Sequence, residues 1–318
     1  VPNDVTVVIA CYTERRWPFL LDAIASVRAQ RHPHRLVVVV DHNEQLYARL
    51  RLACPDDMTI LRNTGRRGAS GARNTAALAA TTRYVAFLDD DTAAEPGWLE
   101  RLVAGMDQPG VVGAGGHIEP AWQSRSPRWF PQEFGWVIGV SMPPAGAPRR
   151  RVRNVWSCNM IVDRDVFARV GGFRAGFGKV GDTNEPEDTE LCLRMAGTAP
   201  HAHWLLVPEA VVGHQVPPER ATWAYFVRRC WLEGTGKANL ARLPSGRADR
   251  LSAERTYLRQ VLPRGMSRYL GEALRGDLGG VARAGAVVAG LLTTTLGFLS
   301  GRAADVAATP RAGPDLSR

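Results

Sequence analysis

The chain has 318 residues, 45% hydrophobic and 22% charged, a balance that excludes wholesale disorder and allows a sizeable buried core. Forty Lys and Arg against 31 Asp and Glu leave a net charge of +9, and an isoelectric point near 9.9 favours an anionic ligand or an anionic membrane surface. The arginines look scattered and accompany no nucleic-acid-reading motif, so no nucleic-acid partner is expected. The five cysteines (Cys11, Cys54, Cys158, Cys192, Cys230) are odd in number, widely spaced and without a CxxC pair, which argues against a disulfide scaffold or a Cys-ligated zinc site. Asp4, Glu14, Arg15 and Arg16 break up the first apolar run, which is therefore no secretory signal. A reducing, cytoplasmic setting is the expectation, with peripheral contact on the cytoplasmic membrane face as an addition.

In chain order, residues 5–10 form a short β-branched run of the buried-strand kind, followed by apolar positions at helical spacing over 17–30. Residues 36–40 make a second strand that ends at Asp41. A third, over 58–61, leads into the glycine-bearing turn 63–71 and an Ala-rich helix. The fourth strand, 84–88, ends at Asp89-Asp90-Asp91, and Glu95-Pro96-Gly97 opens a further helix. Such alternation predicts a Rossmann-like α/β fold, a mostly parallel sheet covered on both faces. Ligands of these sheets bind at the carboxyl ends of the strands, so residues 11–14, Asp41, 63–74 and the aspartate triplet are expected to converge in one crevice.

The second half reads differently. Residues 117–153 are rich in Pro, Gly and Arg, with Trp122, Trp129, Phe130, Phe134 and Trp136 interleaved, which reads as a functional loop or lid. Its aromatics suit either core packing or a platform for a sugar ring or prenyl chain. Strands are expected over 155–162 and 205–212, a helix over 187–195, and helices from 221 onward after Pro217-Pro218. The stretch 284–301 carries no charge and just reaches transmembrane length. Its Gly, Ala and Thr content favours a buried or interfacial helix, a monotopic contact or a true span being the alternatives.

Four features could carry chemistry. The adjacent carboxylates of Asp89, Asp90 and Asp91 repel one another, and a divalent cation would compensate them; the alternative is an acidic helix-start turn. The turn from Gly68 to Asn74 runs into a helix whose free N–H groups could hold an anion beside Arg73, or it is ordinary turn chemistry. It is neither a Walker loop nor a GxGxxG fingerprint. If Pro186 precedes a helix, Asp188 shares a face with Leu191, Cys192 and Met195 and points inward as a candidate general base, kept ionised by the helix start; plain helix-start acidity is the alternative. His214 is either structural or a further metal ligand.

In this order and spacing the residues resemble the inverting glycosyltransferases of family 2, of the GT-A fold. The likeness spans about residues 5–240 and rests on Val8-Ile9-Ala10-Cys11-Tyr12, Val38-Val39-Val40-Asp41, the turn from Gly68 to Asn74, Phe87-Leu88-Asp89-Asp90-Asp91 with Trp98, Cys158-Asn159-Met160, Gly171-Gly172-Phe173 and Glu187-Asp188. It implies a GT-A α/β domain with a nucleotide-sugar-binding half over 1–116 and an acceptor-binding, catalytic half over 117–216. A C-terminal helical extension over 217–308 and a disordered tail over 309–318 complete the plan. The implied donor is a nucleotide-diphosphate sugar, a UDP-sugar foremost. Ala10, Tyr12, Glu14, Asp41 and Arg73 would face its nucleoside, with Asp89 and Asp90 also on the donor. Asp91 and His214 would ligate Mn²⁺ or Mg²⁺. Asp188 would be the base beside Glu187, with Asn159, Trp156 and Trp136 around the acceptor.

His42-Asn43 replaces the family's usual second acid after the second strand. With the aromatic middle and the helical tail, this variant resembles an actinobacterial and archaeal subset, some of which act on polyprenyl-phosphate-linked sugars, glucuronosyl transfer being one example. The acceptor would be such a lipid-linked sugar, a glycan or a small natural product. Two rivals remain: a nucleotidyltransferase, which would release pyrophosphate, and a non-catalytic membrane-associated binding module, which would show no metal-dependent nucleotide binding.

Overall fold

A computed structural model of the chain describes residues 5–54, 58–141, 147–174, 178–180, 183–242 and 251–308. The first half alternates as its periodicity predicts: β1 (Val5–Cys11), α1 (Trp17–Arg28), β2 (His34–Val40), α2 (Glu44–Ala53), β3 (Thr59–Arg62), α3 (Ala69–Ala79) and β4 (Tyr84–Asp89). β1 pairs in parallel with β2 and β4, and β2 with β3. The two-residue period of a strand splits β1 between two cores. Val5, Val7, Ile9 and Cys11 pack into one layer and Val8 into the other, so both faces of the run are buried, and its polar Thr6 is satisfied by the Thr82 hydroxyl (2.8 Å).

There follow β5 (Thr92–Ala94), α4 (Trp98–Met106), β6 (Val111–Trp122), β7 (Arg150–Val152), β8 (Asn159–Asp163), α5 (Arg164–Arg169), the hairpin β9 (Gly178–Val180) and β10 (Thr183–Glu185), α6 (Glu187–Ala196) and β11 (His203–Val216). The main sheet has the order β3-β2-β1-β4-β8-β6-β11-β5, with β7 also on β11. β8 runs antiparallel between β4 and β6, while β6 and β11 are parallel. One mostly parallel sheet thus spans both sides of residue 116. The strand expected over 155–162 starts only at Asn159, because the Asn159 N–H turns back to the Trp156 carbonyl (3.0 Å) and leaves Trp156 and Ser157 on a loop.

The aromatic middle is a packed element rather than a free lid. Its first residues complete β6, and the 3-10 turn Gln132–Ile138 buries Phe134, Val137 and Ile138 against Phe226 and the C-terminal helices. Trp129, Phe130 and Phe134 all lie edge-on or tilted to Phe226, at 5.3–6.0 Å between ring centres. Glu133 locks this turn in place. Its buried carboxylate accepts from Arg268 Nη2 and Tyr269 Oη (both 2.7 Å), and its carbonyl accepts from Tyr257 Oη (3.0 Å).

The C-terminal layer comprises α7 (Trp223–Arg242), α8 (Ser252–Thr256), α9 (Leu262–Leu274) and α10 (Leu278–Ala308). The small residues of α10 are there for contact with α7. A Cβ on Gly297 would collide with the Trp231 carbonyl, and one on Gly234 with the Thr294 carbonyl, so the two backbones touch where side chains are missing. Leu278–Ala303 is long and apolar enough to cross a membrane by length and composition. While one face packs on α7, Val288, Leu292, Leu296 and Leu299 of the other are each about half exposed. The basic excess is not scattered, contrary to the first impression of the sequence. From residue 217 onward there are 16 Lys and Arg against 8 Asp and Glu, so this layer and its tail carry nearly the whole net charge.

Candidate functional site

The parallel register fixes where the acids lie. Asp89 ends β4 opposite Ala10 at the carboxyl end of β1, and its neighbour Leu88 pairs with Asn159. The triplet does not stand uncompensated: beside the cation or helix start expected from sequence, the structure supplies guanidinium partners. Arg73 Nη2 meets Asp89 at 2.6 Å. Arg16 Nη1 meets Asp90 at 2.6 Å and Asp91 at 3.2 Å, and Arg220 reaches Asp91 at 3.4 Å. Each carboxylate has its own guanidinium, drawn from a different element.

Burial, opposed by Arg16 and reinforced by the neighbouring Asp91, pushes the Asp90 carboxyl up to about 7. The same burial acts on Asp91 but is outweighed, by His214 when that ring is protonated and by Arg16 and Arg220 in either state of the ring, so that Asp91 is held below its ordinary value. His214 Nε2 lies 3.6 Å from Asp91 Oδ1. Burial pulls its imidazole below the ordinary value despite Asp91, so the ring is neutral, and Nδ1 has no partner among the described residues. A neutral imidazole and an ionised carboxylate side by side suit a divalent cation whose remaining positions go to substrate oxygens and water. Among the described residues no third His, Cys, Asp or Glu completes an all-protein metal cage.

On α6 the helix phase does what the sequence predicts. Leu191, Cys192 and Met195 are buried, and Asp188, on their face, lines a cavity of about 270 Å³ together with Asp89, Glu187, His214, Trp136 and Trp156. Glu187 accepts from Arg73 Nη1 at 2.8 Å and from the Ser70 hydroxyl. Arg73 therefore ties the end of β4 to the start of α6. Asp188 is not held low by the helix start, as expected from sequence. Burial and the adjacent Glu187 outweigh Arg73 and a hydrogen bond from Ser157, and its carboxyl is raised to about 7. Its Oδ1 is buried without a partner among the described residues.

Several expected ligand contacts are instead internal. Arg73, expected at the nucleoside, is buried between two carboxylates. Asp90 is buried beneath Arg16 rather than turned to a donor. Asn159, expected at the acceptor, is a brace: it accepts from Trp98 Nε1 (2.8 Å) and donates to the carbonyls of His117 (2.9 Å) and Ala210 (3.0 Å). A buried amide must find such partners, and these leave none of its groups for a ligand. Asp41 accepts from Asn63 Nδ2 (2.6 Å) and the Gly68 N–H (2.9 Å), fixing the glycine turn.

His42, at positive φ, reaches the Gly65 carbonyl, and Asn43 caps α2 while donating to the Tyr12 carbonyl; these contacts account for the unusual pair. Tyr12 is exposed, Glu14 keeps a buried Oε1 without a partner among the described residues, and both lie with Ala10 outside the cavity lining. Arg16 and Arg220 escaped the sequence reading, as did the α7 face of Arg229, Glu233 and Lys237 that closes the cavity. Only the four-residue spacing of the last three was legible as a shared helix face.

The model of a family described as glycosyl transferase family 2 matches residues 6–171. A glucosyl-dolichyl phosphate glucuronosyltransferase of Haloferax volcanii is 33% identical over 238 residues, covering 73% of this chain and 76% of that protein. The succinoglycan biosynthesis protein ExoM of Rhizobium meliloti is 28% identical, over 74% of this chain and 75% of its own. Among solved structures, the mannosyltransferase PcManGT of Pyrobaculum calidifontis, in complex with GDP-Man and Mn²⁺, superposes with a TM-score of 0.58 at 19% identity, over 96% of this chain and 87% of that one. TarS of S. aureus in complex with UDP-GlcNAc gives a TM-score of 0.53 at 13% identity, over 96% and 92%. These structural likenesses bear out the GT-A fold class. With the family model covering half of the chain and a relative above 30% identity along most of it, the chain belongs to glycosyl transferase family 2 and is a glycosyltransferase.

Proposed function

We propose that the chain transfers a sugar from a nucleotide-diphosphate sugar to a hydroxyl of a lipid-linked acceptor, by single displacement with inversion and with Asp188 as general base. The observation that carries this reading is the cavity shared by the strand-end Asp89 and the helix-borne Asp188, whose Oδ1 has no partner among the described residues. In the step, Asp188 takes the proton of the acceptor hydroxyl as its oxygen attacks the anomeric carbon. The bond from that carbon to the diphosphate oxygen breaks, and the electron pair leaves with the nucleoside diphosphate. Arg73 and Ser70 fix Glu187 and with it the first turn of α6, which aims Asp188. Trp136 and Trp156 offer the acceptor sugar apolar faces. Asp91 and His214 would hold Mn²⁺ or Mg²⁺, which when bound supplies positive charge to the departing diphosphate.

The Haloferax relative's name specifies a dolichyl-phosphate sugar as acceptor, which supports a polyprenyl-phosphate-linked acceptor here. A peripheral membrane position follows from the same reading. The basic helical layer with its outward leucines would rest on an anionic bilayer. The full chain should then float with vesicles containing phosphatidylglycerol and be released by 0.5 M salt to a level of about a tenth or less of the low-salt binding. Equal recovery with purely zwitterionic vesicles would argue against the electrostatic part.

The reaction is tested by product analysis with labelled UDP- and GDP-sugars, Mn²⁺ and a polyprenyl-phosphate sugar. Release of a nucleoside diphosphate with sugar on the lipid is expected; pyrophosphate would identify the nucleotidyltransferase instead. His214→Ala should raise the Mn²⁺ concentration for half-maximal turnover at least about tenfold, and an unshifted Mn²⁺ titration would remove His214 from the metal's ligands.

A further inference from the structure

Besides His214, three cationic side chains among the described residues line the catalytic cavity, and two are already engaged. Arg73 is bound by Asp89 and Glu187. Lys237 sits between Glu233 at 3.2 Å and Glu254 at 2.8 Å, and Glu254 is bound in turn by Arg153. The third, Arg229, lies one helical turn before Glu233 on the same face of α7 and is half-buried. It makes no ion pair or hydrogen bond with any other described residue. The reason is local. Glu233 has a lysine four residues after it, the favourable order for a helical pair, and Lys237 takes the carboxylate that Arg229 would otherwise hold.

A guanidinium facing a cavity without a carboxylate is a receptor for an oxyanion, and its planar fork suits phosphoryl oxygens in particular. We infer that Arg229 binds a phosphoryl group of a substrate in this cavity. This rests on the reading above, in which both substrates carry such a group: the diphosphate of the donor and the phosphate between sugar and lipid of the acceptor. Either source presents the same chemistry, and the test separates them.

The full chain and its Arg229→Gln and Arg229→Lys variants would be titrated calorimetrically with UDP plus Mn²⁺, with dodecyl phosphate, and with dodecyl glucoside as a neutral control. Because Arg229 has no partner among the described residues to orphan, the variants should melt within about 2 °C of the parent. Arg229→Gln is expected to weaken one phosphate probe about 10- to 100-fold, with partial recovery in Arg229→Lys and no change for the glucoside. A loss for UDP assigns the donor diphosphate; a loss for dodecyl phosphate alone assigns the acceptor. Unchanged binding of both phosphate probes overturns the inference, as does an equal loss for the neutral glucoside. No turnover is needed, so this result stands apart from any failure of the proposed reaction.

Discussion

Asp188→Asn is expected to lower turnover by about 10²–10⁴ while donor binding stays within about twofold of the parent. The amide keeps the size of the carboxylate but cannot accept the acceptor's proton, and Asp188 makes none of the ion pairs at Asp89 or Asp91. The pH profile carries the same signature. With its carboxyl raised to about 7, Asp188, the proposed base, is protonated below that value, so log kcat/KM should rise with unit slope towards pH 7 and level off above it.

Stability moves the other way. The unfolded chain releases this proton near 3.8 and the native state near 7, so between those values the folded state binds more protons and loses stability as pH rises. Asparagine carries no such cost. The melting temperature of the variant relative to the parent should therefore be higher at pH 8 than at pH 5. Full turnover in the variant, or a difference in melting temperature independent of pH, would take the raised base out of the mechanism.

Arg73→Gln should be the most destabilising single change at the site, by about 3–5 kcal/mol. Arg73 is buried and binds Asp89 at 2.6 Å and Glu187 at 2.8 Å, and glutamine would leave two carboxylates close together without a counter-charge. Lysine should rescue little, since a point charge cannot serve both acids as the guanidinium fork does. Urea unfolding at pH 8 measures the loss. A cost below about 1 kcal/mol would mean that solvent already screens the pair.

The composition and periodicity of the chain were enough for the alternating half of the sheet, the strand-end position of Asp89 and the inward face of α6. Each depends on local rules: β-branched runs, a 3.6-residue period, a proline before a helix. Glu187 and Asp188, which the family resemblance implies at the base, and Trp136 and Trp156, which it implies at the acceptor, line one cavity.

What local rules could not supply is charge balance. Nothing near Asp90 in the chain announces Arg16, 74 residues away, and nothing near Asp91 announces Arg220, 129 residues away. The carboxylates are neutralised by side chains that only the packing of α1, α3 and the turn after β11 brings to them. The same packing makes Arg73 and Asn159 internal struts, because a buried guanidinium or amide takes whatever partners the fold provides. It also raises Asp188, since desolvation depends on the walls of the cavity and not on the helix start alone. Sequence set which groups were available for chemistry; the tertiary structure decided which of them remain free to perform it.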